Sequence, residues 1–376
     1  MRFFSVGMSS LQIPSTLLVI AQSARMLARL AIDAGYTPVV VDGYADTDTR
    51  LMALDVVKVA SLRLADVLPA LDALRMRHGL THVVYGSGFE YSTDTLAYLH
   101  RNWEVLGNSA AVFRSLQQKS EFFDQLAALS IPHPETVFMP PNADGAWLVK
   151  PLRGEGGIGI RRYRADCDRD VDDCYWQRFV VGESMSALFV ASDGYVDVLG
   201  FNRQATLALD DDRCCVFAGV DSHAELGSAH RGVVVDWLRK LVGIYRLRGL
   251  GSLDFILADG QCYLLEINAR IPASAQLYGK GVLESHIQAC LGNRQSPKPK
   301  STLPSAYRVI YADRDLAIPG VVDWPEWVSD RPDGGVFIGK GQPICSIIAA
   351  GKGRDQAFEQ LRLRQNIVEN ILNTGC

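Results

Sequence analysis

Two carboxylates and an amide stand at a spacing that suits a hard divalent cation. Asp254 lies in Ser252–Ile256 (SLDFI), and Glu266 and Asn268 lie in Leu264–Arg270 (LLEINAR). Between the two runs stands Asp259-Gly260, a dipeptide that favours a tight hairpin turn. The runs therefore read as adjacent antiparallel strands that bring Asp254 close to Glu266. Glu266 and Asn268 are two residues apart and share one strand face. Such a patch of oxygens suits Mg²⁺ bridged to a triphosphate, and the two carboxylates would repel each other without a cation. Arg270 continues the same face, where it can hold a transferring phosphoryl group.

A second group of residues suits phosphate. Trp147–Pro151 (WLVKP) is an apolar strand carrying one lysine, Lys150, and it runs into Leu152–Ile160 (LRGEGGIGI). Gly154, Gly156, Gly157 and Gly159 let the backbone approach a ligand closely and turn N–H groups toward anionic oxygens. The loop does not match the G-x-x-x-x-G-K-[ST] pattern, so a P-loop is excluded. Downstream, Gln177–Ser186 (QRFVVGESMS) turns at Gly182. The backbone of Phe179, Val180 and Val181 can meet an adenine edge, and Glu183 can accept ribose hydroxyls or stand as a solvated charge. Arg203 is the candidate clamp for a substrate carboxylate, or else a surface ion pair. Ser87, Gly88 and Glu90 follow a strand at the carboxyl end of a parallel sheet, where ligands tend to bind; they meet a second substrate or cap a helix. His223 and His230 read as loop histidines and Trp324 and Trp327 as core.

These residues need a scaffold, and the hydrophobic pattern supplies one. Residues 2–7 read as a strand, Leu11–Ile32 as an amphipathic helix and Thr37–Asp42 as a buried β-branched strand. The pattern repeats through Val56–Ala60, Leu64–His78 and Thr81–Tyr85. This is a parallel-sheet α/β domain over residues 1–107. No G-x-G-x-x-G turn marks a dinucleotide site in it. Residues 108–295 read as a strand-rich α+β domain and Gln295–Lys300 (QSPKPK) as a linker. Residues 301–376 form a small α+β segment, closed by a helix over about Asp355–Leu372, that packs on the preceding domain or makes a homodimer contact.

Among the 376 residues, 48% are hydrophobic, 21% are charged and the net charge is −4. That is ordinary for a chain burying a large core, and without a clustered Lys/Arg excess nucleic acid is not an expected partner. The apolar stretch near the start is broken by Gln22, Ser23, Arg25 and Arg29, so no membrane span is expected. Eight scattered cysteines lack C-x-x-C or zinc-ligand spacing and read as reduced thiols of a cytoplasmic protein.

Taken in order, Lys119, Lys150, the loop Arg153–Gly159, Glu183, Asp254 and the E-x-N-x-R run Glu266–Arg270 resemble the ATP-grasp superfamily. The resemblance covers about residues 108–295, with a preceding α/β domain also usual there. It implies an ATP-grasp fold whose two subdomains clamp ATP. By the same resemblance Lys119 and Lys150 contact phosphates under a closing glycine loop. Gln177 through Val180 border the adenine, Glu183 holds the ribose, and Asp254, Glu266 and Asn268 bind one or two Mg²⁺, with Mn²⁺ as an alternative. Arg270 faces the reacting carboxylate. The implied reaction forms an acyl-phosphate that an amine attacks, giving an amide, ADP and phosphate. The chain is similar to small amino-acid ligases of the superfamily, such as tyramine–glutamate ligase of methanofuran synthesis and the lysine-joining ligase of pyrrolysine synthesis. The alternatives are an ATP-grasp carboxylase or phosphate-transferring enzyme, and a nucleotide-binding regulator without catalysis.

Overall fold

The computed structural model describes residues 13–142, 146–166, 168, 171–293 and 303–373. A parallel sheet comes first, from β1 (Thr16–Ala21), β2 (Thr37–Asp42), β3 (Asp55–Lys58), β4 (His82–Tyr85) and β5 (Glu104–Leu106), in the order β3-β2-β1-β4-β5. Helices α1 (Arg25–Asp33), α2 (Thr47–Met52), α3 (Leu64–His78) and α4 (Thr93–Asn102) connect its strands. One expectation fails here. The stretch Leu11–Ile32 is not one helix, because Thr16–Ala21 is the central strand β1 and helix starts only at Arg25. After Thr16, TLLVIA is apolar at every position because β1 is buried on both faces. Such a run carries no period that separates strand from helix. The runs 2–7 and 295–300 lie outside the described residues.

Helices α5 (Ala110–Gln117) and α6 (Lys119–Ala128) lead to a four-stranded antiparallel sheet. It is built from β6 (Thr136–Val137), β7 (Trp147–Pro151), β8 (Arg161–Arg162) and β9 (Cys174–Arg178) in the order β6-β9-β7-β8. Trp147, Val149 and Trp176 form its small core.

The largest sheet holds β10 (Glu183–Ser192), β11 (Tyr195–Leu207), β12 (Val216–Asp221), β13 (Gly249–Ala258) and β14 (Gln261–Asn268). Helix α7 (Ser228–Tyr245) sits between β12 and β13, and α8 (Val282–Cys290) follows β14. Most strands after residue 303 join this sheet. Strands β15 (Ser305–Tyr311), β17 (Val328–Ser329) and β19 (Pro343–Ala350) extend it to the order β14-β13-β10-β11-β12-β15-β19-β17. The short strands β16 (Leu316–Ala317) and β18 (Phe337–Ile338) pair apart, and α9 (Arg354–Asn373) covers β15 and β19.

Asn108, 3% exposed, ties the parallel sheet's exit to the β13–β14 region. Its amide donates to the carbonyls of Arg248 (2.8 Å) and Ala269 (3.0 Å), and its oxygen accepts from the Arg248 N–H (2.7 Å). Each of these backbone groups is thereby satisfied away from bulk water.

Candidate functional site

The hairpin β13–β14 forms as its sequence requires. Asp259 and Gly260 both take positive φ (+49° and +75°), the backbone of a two-residue primed turn. Asp254 stands directly opposite Glu266 and Ser252 opposite Asn268. The Asn268 amide donates to Asp254 Oδ2 (3.1 Å) and to Ser252 Oγ (3.2 Å). Asp254 is 9% exposed, and its Oδ1 has no hydrogen-bond partner. Burial, and then the neighbouring Glu266, push its carboxyl up to about 7. A buried oxygen without a donor, beside a second carboxylate, is what a cation would satisfy. Among the described residues no three His, Cys, Asp or Glu side chains gather at metal-holding spacing. The set here is two carboxylates and an amide.

These groups line a cavity of about 910 Å³, which the parallel sheet, the four-stranded sheet and the large sheet all border. Residues following the carboxyl ends of β1, β2 and β4 (Gln22, Tyr44 and Ser87 among them) form one side, the position expected of a ligand site on a parallel sheet. Lys119, the first residue of α6, approaches Glu266 Oε2 at 3.8 Å. Lys150 on β7 donates to Gln177 Oε1 (2.9 Å) on β9, and the Gln177 amide donates to Thr136 Oγ1 (3.0 Å). Burial pulls the Lys150 ammonium below its ordinary value, while Glu266 acts in the opposite direction. Phe179 spends its N–H on Ala146 O (2.8 Å), whereas the backbone groups of Val180 and Val181 have no partner among the described residues.

The glycine loop lies closed over this cavity. Tyr91 Oη donates to Arg153 O (2.8 Å), the Phe217 N–H donates to Gly156 O (2.8 Å) and the Cys214 N–H to Ile160 O (3.0 Å). Gly156, Gly157 and Gly159 take φ of +61°, +72° and +81°. A Cβ on Gly157 would lie 2.0 Å from Cys215 O, so this seat admits no side chain. Arg270 reaches Glu90 Oε1 at 2.8 Å, both residues lining the cavity. Burial works against the Arg270 charge, but Glu90 and Glu155 more than offset it.

Lys119, Lys150, Gly154, Gly156, Gly157, Gln177, Phe179, Val180, Asp254, Glu266, Asn268 and Arg270 thus border one cavity. Gly159 stands in the same loop but does not line it. Glu183 and Arg203 are not brought there either. They pair with each other across β10 and β11, Arg203 Nη2 donating to both Glu183 oxygens (3.0 and 2.9 Å). On the opposite face of those strands, Ser184, Ser186 and Gln204 border the cavity, with Ser184 Oγ donating to Gln204 (2.9 Å). Glu155, passed over in the sequence because it sits among glycines, borders the cavity beside Glu90. Burial, then Glu90, push its carboxyl up to about 7. His223 bonds the neighbouring Ser222 Oγ and His230 the Gly260 carbonyl of the β13–β14 turn.

Residues 116–274 match the model of the ATP-grasp domain. An uncharacterized protein of Methanocaldococcus jannaschii is 20% identical over 262 residues, 66% of this chain and 64% of that protein, so the match spans just under two thirds of the relative. Among solved structures, L-amino acid ligase from Bacillus licheniformis superposes with a TM-score of 0.70 at 14% identity, over 94% of this chain and 98% of that one. The biotin carboxylase domain of Hydrogenobacter thermophilus 2-oxoglutarate carboxylase, solved with MgADP, ADP and bicarbonate, superposes with a TM-score of 0.73 at 14% identity, over 94% and 90%. Likeness at such identity speaks for the fold. Among the described residues no helix is long and apolar enough to cross a membrane.

Proposed function

The chain carries an ATP-grasp domain over residues 116–274, and from it we propose an ADP-forming ligase that activates a carboxylate with ATP and joins it to an amine. The observation that carries this reading is the Asp254–Glu266 pair, with Asp254 Oδ1 unpartnered on a cavity floor that a glycine loop covers. Asp254, Glu266 and Asn268 would hold one or two Mg²⁺, which when bound neutralise the triphosphate.

The chain's own groups do the rest by position. Lys119 and Lys150, both near Glu266, would meet the phosphates. The backbone of Val180 and Val181, without a partner among the described residues, would pair with adenine, and Gln177 fixes Lys150 beside it. Glu183 and Arg203, paired on the strand face away from the cavity, are the weakest candidates for the ribose and substrate contacts. Arg270, held by Glu90, points its charge at the place where the acyl-phosphate would form. The closed loop excludes water that would hydrolyse that intermediate. In this reading residues 1–107 and 108–295 supply the substrate side and the ATP clamp. The segment 301–376 borders the far end of the cavity through Tyr307 and Tyr311.

The carboxylate is proposed to be that of an amino acid such as glutamate. The test is Mg²⁺-dependent ADP release against a panel of amino acids and amines, glutamate with tyramine included, with Glu266→Gln alongside. ADP release that needs both an acid and an amine, and is lost in the variant, is expected. Release driven by bicarbonate alone would turn the reading to a carboxylase. Binding of ATP with no release for any pair would point to a regulator, and full activity of Glu266→Gln would remove the metal assignment.

A further inference from the structure

The seat on which the glycine loop rests contains two adjacent cysteines, Cys214 and Cys215, and the ligase reading gives them no role. Their sulfurs lie 3.0 Å apart, in contact. Both are free and partly exposed, and Cys215 lines the cavity. They sit in a bend just before β12, not in regular structure, so the peptide between them is not held by a strand ladder. The other described cysteines occur singly; Cys262 and Cys345 are buried.

We propose that Cys214 and Cys215 are a vicinal dithiol that a hydroperoxide or a small disulfide oxidises reversibly, and that forming the Cys214–Cys215 disulfide lifts the glycine loop. With hydrogen peroxide, both S–H bonds and the O–O bond break, one S–S bond forms and two waters leave; an alkyl hydroperoxide leaves one alcohol and one water, and a small disulfide leaves as two thiols. The two sulfurs lose the two electrons that the peroxide gains. A reduced dithiol returns the electrons and protons. Burial and the neighbouring Cys214 push the Cys215 thiol up to about 12, so Cys215 keeps its proton at neutral pH. One thiolate attacks the peroxide oxygen to give a sulfenic acid, and the other sulfur, already in contact, resolves it.

The consequence for the loop is geometric. Adjacent Cα atoms across a trans peptide are about 3.8 Å apart, while disulfides ordinarily join Cα atoms about 4.4–6.8 Å apart. Closing the ring must therefore turn the 214–215 peptide and leave a strained, easily reduced bond. The two peptides that flank the 214–215 peptide form the loop's seat. The Cys214 N–H holds Ile160 O, Cys215 O lies against Gly157 with no room for a Cβ, and two residues on the Phe217 N–H holds Gly156 O. Closing the ring resets φ and ψ at both cysteines and so displaces these flanking groups, which breaks the first contact and presses on the second.

The test is peroxide treatment of the whole protein, alkylation, and mass measurement of the peptide holding both cysteines, with hydrogen exchange of residues 153–160. Expected are a two-hydrogen mass loss confined to that peptide, faster exchange in the loop, and reversal by dithiothreitol; Cys214→Ser should show none of these. Affinity for a fluorescent ATP analogue should fall roughly tenfold, the worth of a lost backbone hydrogen bond or two. Only this last readout rests on the ligase reading, and untreated protein that binds no nucleotide would count against that reading alone. No disulfide in the treated protein, a disulfide with unchanged loop exchange, or equal sensitivity of Cys214→Ser would overturn the proposal.

Discussion

Replacing Glu155 by Gln should hold the glycine loop closed at alkaline pH. In the closed loop Glu155 faces Glu90, with Arg270 and the Gly88 N–H as its favourable neighbours and the Tyr44 and Tyr91 rings nearby. Burial, then Glu90, raise its carboxyl from 4.5 to about 7. An acid raised in the folded state keeps a proton that the released side chain would lose. Closure is therefore uncompromised below about pH 4.5, weakens as pH rises from 4.5 to 7, and stays weakened above. A pH unit is a factor of ten, so the ceiling is on the order of 3 kcal/mol, or roughly three-hundredfold in loop opening. Water at the loop's rim screens part of this, which leaves about tenfold as the expected effect. The loop can escape the cost by lifting off locally, so the effect belongs to local opening rather than to global melting. Hydrogen exchange of residues 153–160 would be compared between wild type and Glu155→Gln at matched pH from 5 to 8.5. The gap should be smallest at pH 5 and widest above pH 7, with the variant the better protected. A gap that does not change with pH, or equal protection at pH 8, would refute the carboxyl-pair account.

Gly157→Ala should disrupt the loop's seat, since its Cβ would meet Cys215 O at 2.0 Å at a φ of +72°. Gly156→Ala, with nothing within 4 Å at φ +61°, carries only the left-handed strain of roughly 1–2 kcal/mol. Nucleotide titration should therefore show the larger loss for Gly157→Ala, and equal losses would speak against the closed geometry. Asn108→Ala strands two carbonyls and one N–H in a buried position and should cost about 2–4 kcal/mol. Denaturant midpoints would show it, and a loss under about 0.5 kcal/mol would deny Asn108 its bridging role.

Much of the scaffold was legible because it is local. The Asp259-Gly260 turn sets the β13–β14 register within a few residues, and with it the pairing of Asp254 and Glu266. The strand Thr37–Asp42 and the helix Leu64–His78 also stand where the pattern puts them. What could not be read is non-local or aperiodic. β1 carries no period because both of its faces are buried. The sheet's extension depends on β12 pairing with β15, bringing Asp221 against Ala306, residues far apart in sequence. No local signal in either strand specifies that partner.

The placement of Glu183 and Arg203 shows where motif order stops being informative. Side chains on paired strands share a face when they stand opposite each other. Asp254 stands opposite Ser186, so if Asp254 faces the cavity, Ser186 and Ser184 must face it too, and Glu183 must turn away. Arg203 stands opposite Met185 and turns away with it, which puts its guanidinium beside Glu183 and Gln204 beside Ser184. A one-residue slip between β10 and β13 would exchange the two sets. The register that excludes the slip pairs strands about seventy residues apart in the chain, and its packing follows from Met185, Ala187 and Phe189 being buried on the far face. The sequence Glu183-Ser184-Met185-Ser186 holds this parity in plain view, since its apolar residue shares a face with Glu183 and its serines share the other. Reading the alternation before the motif would have assigned the serines to the cavity.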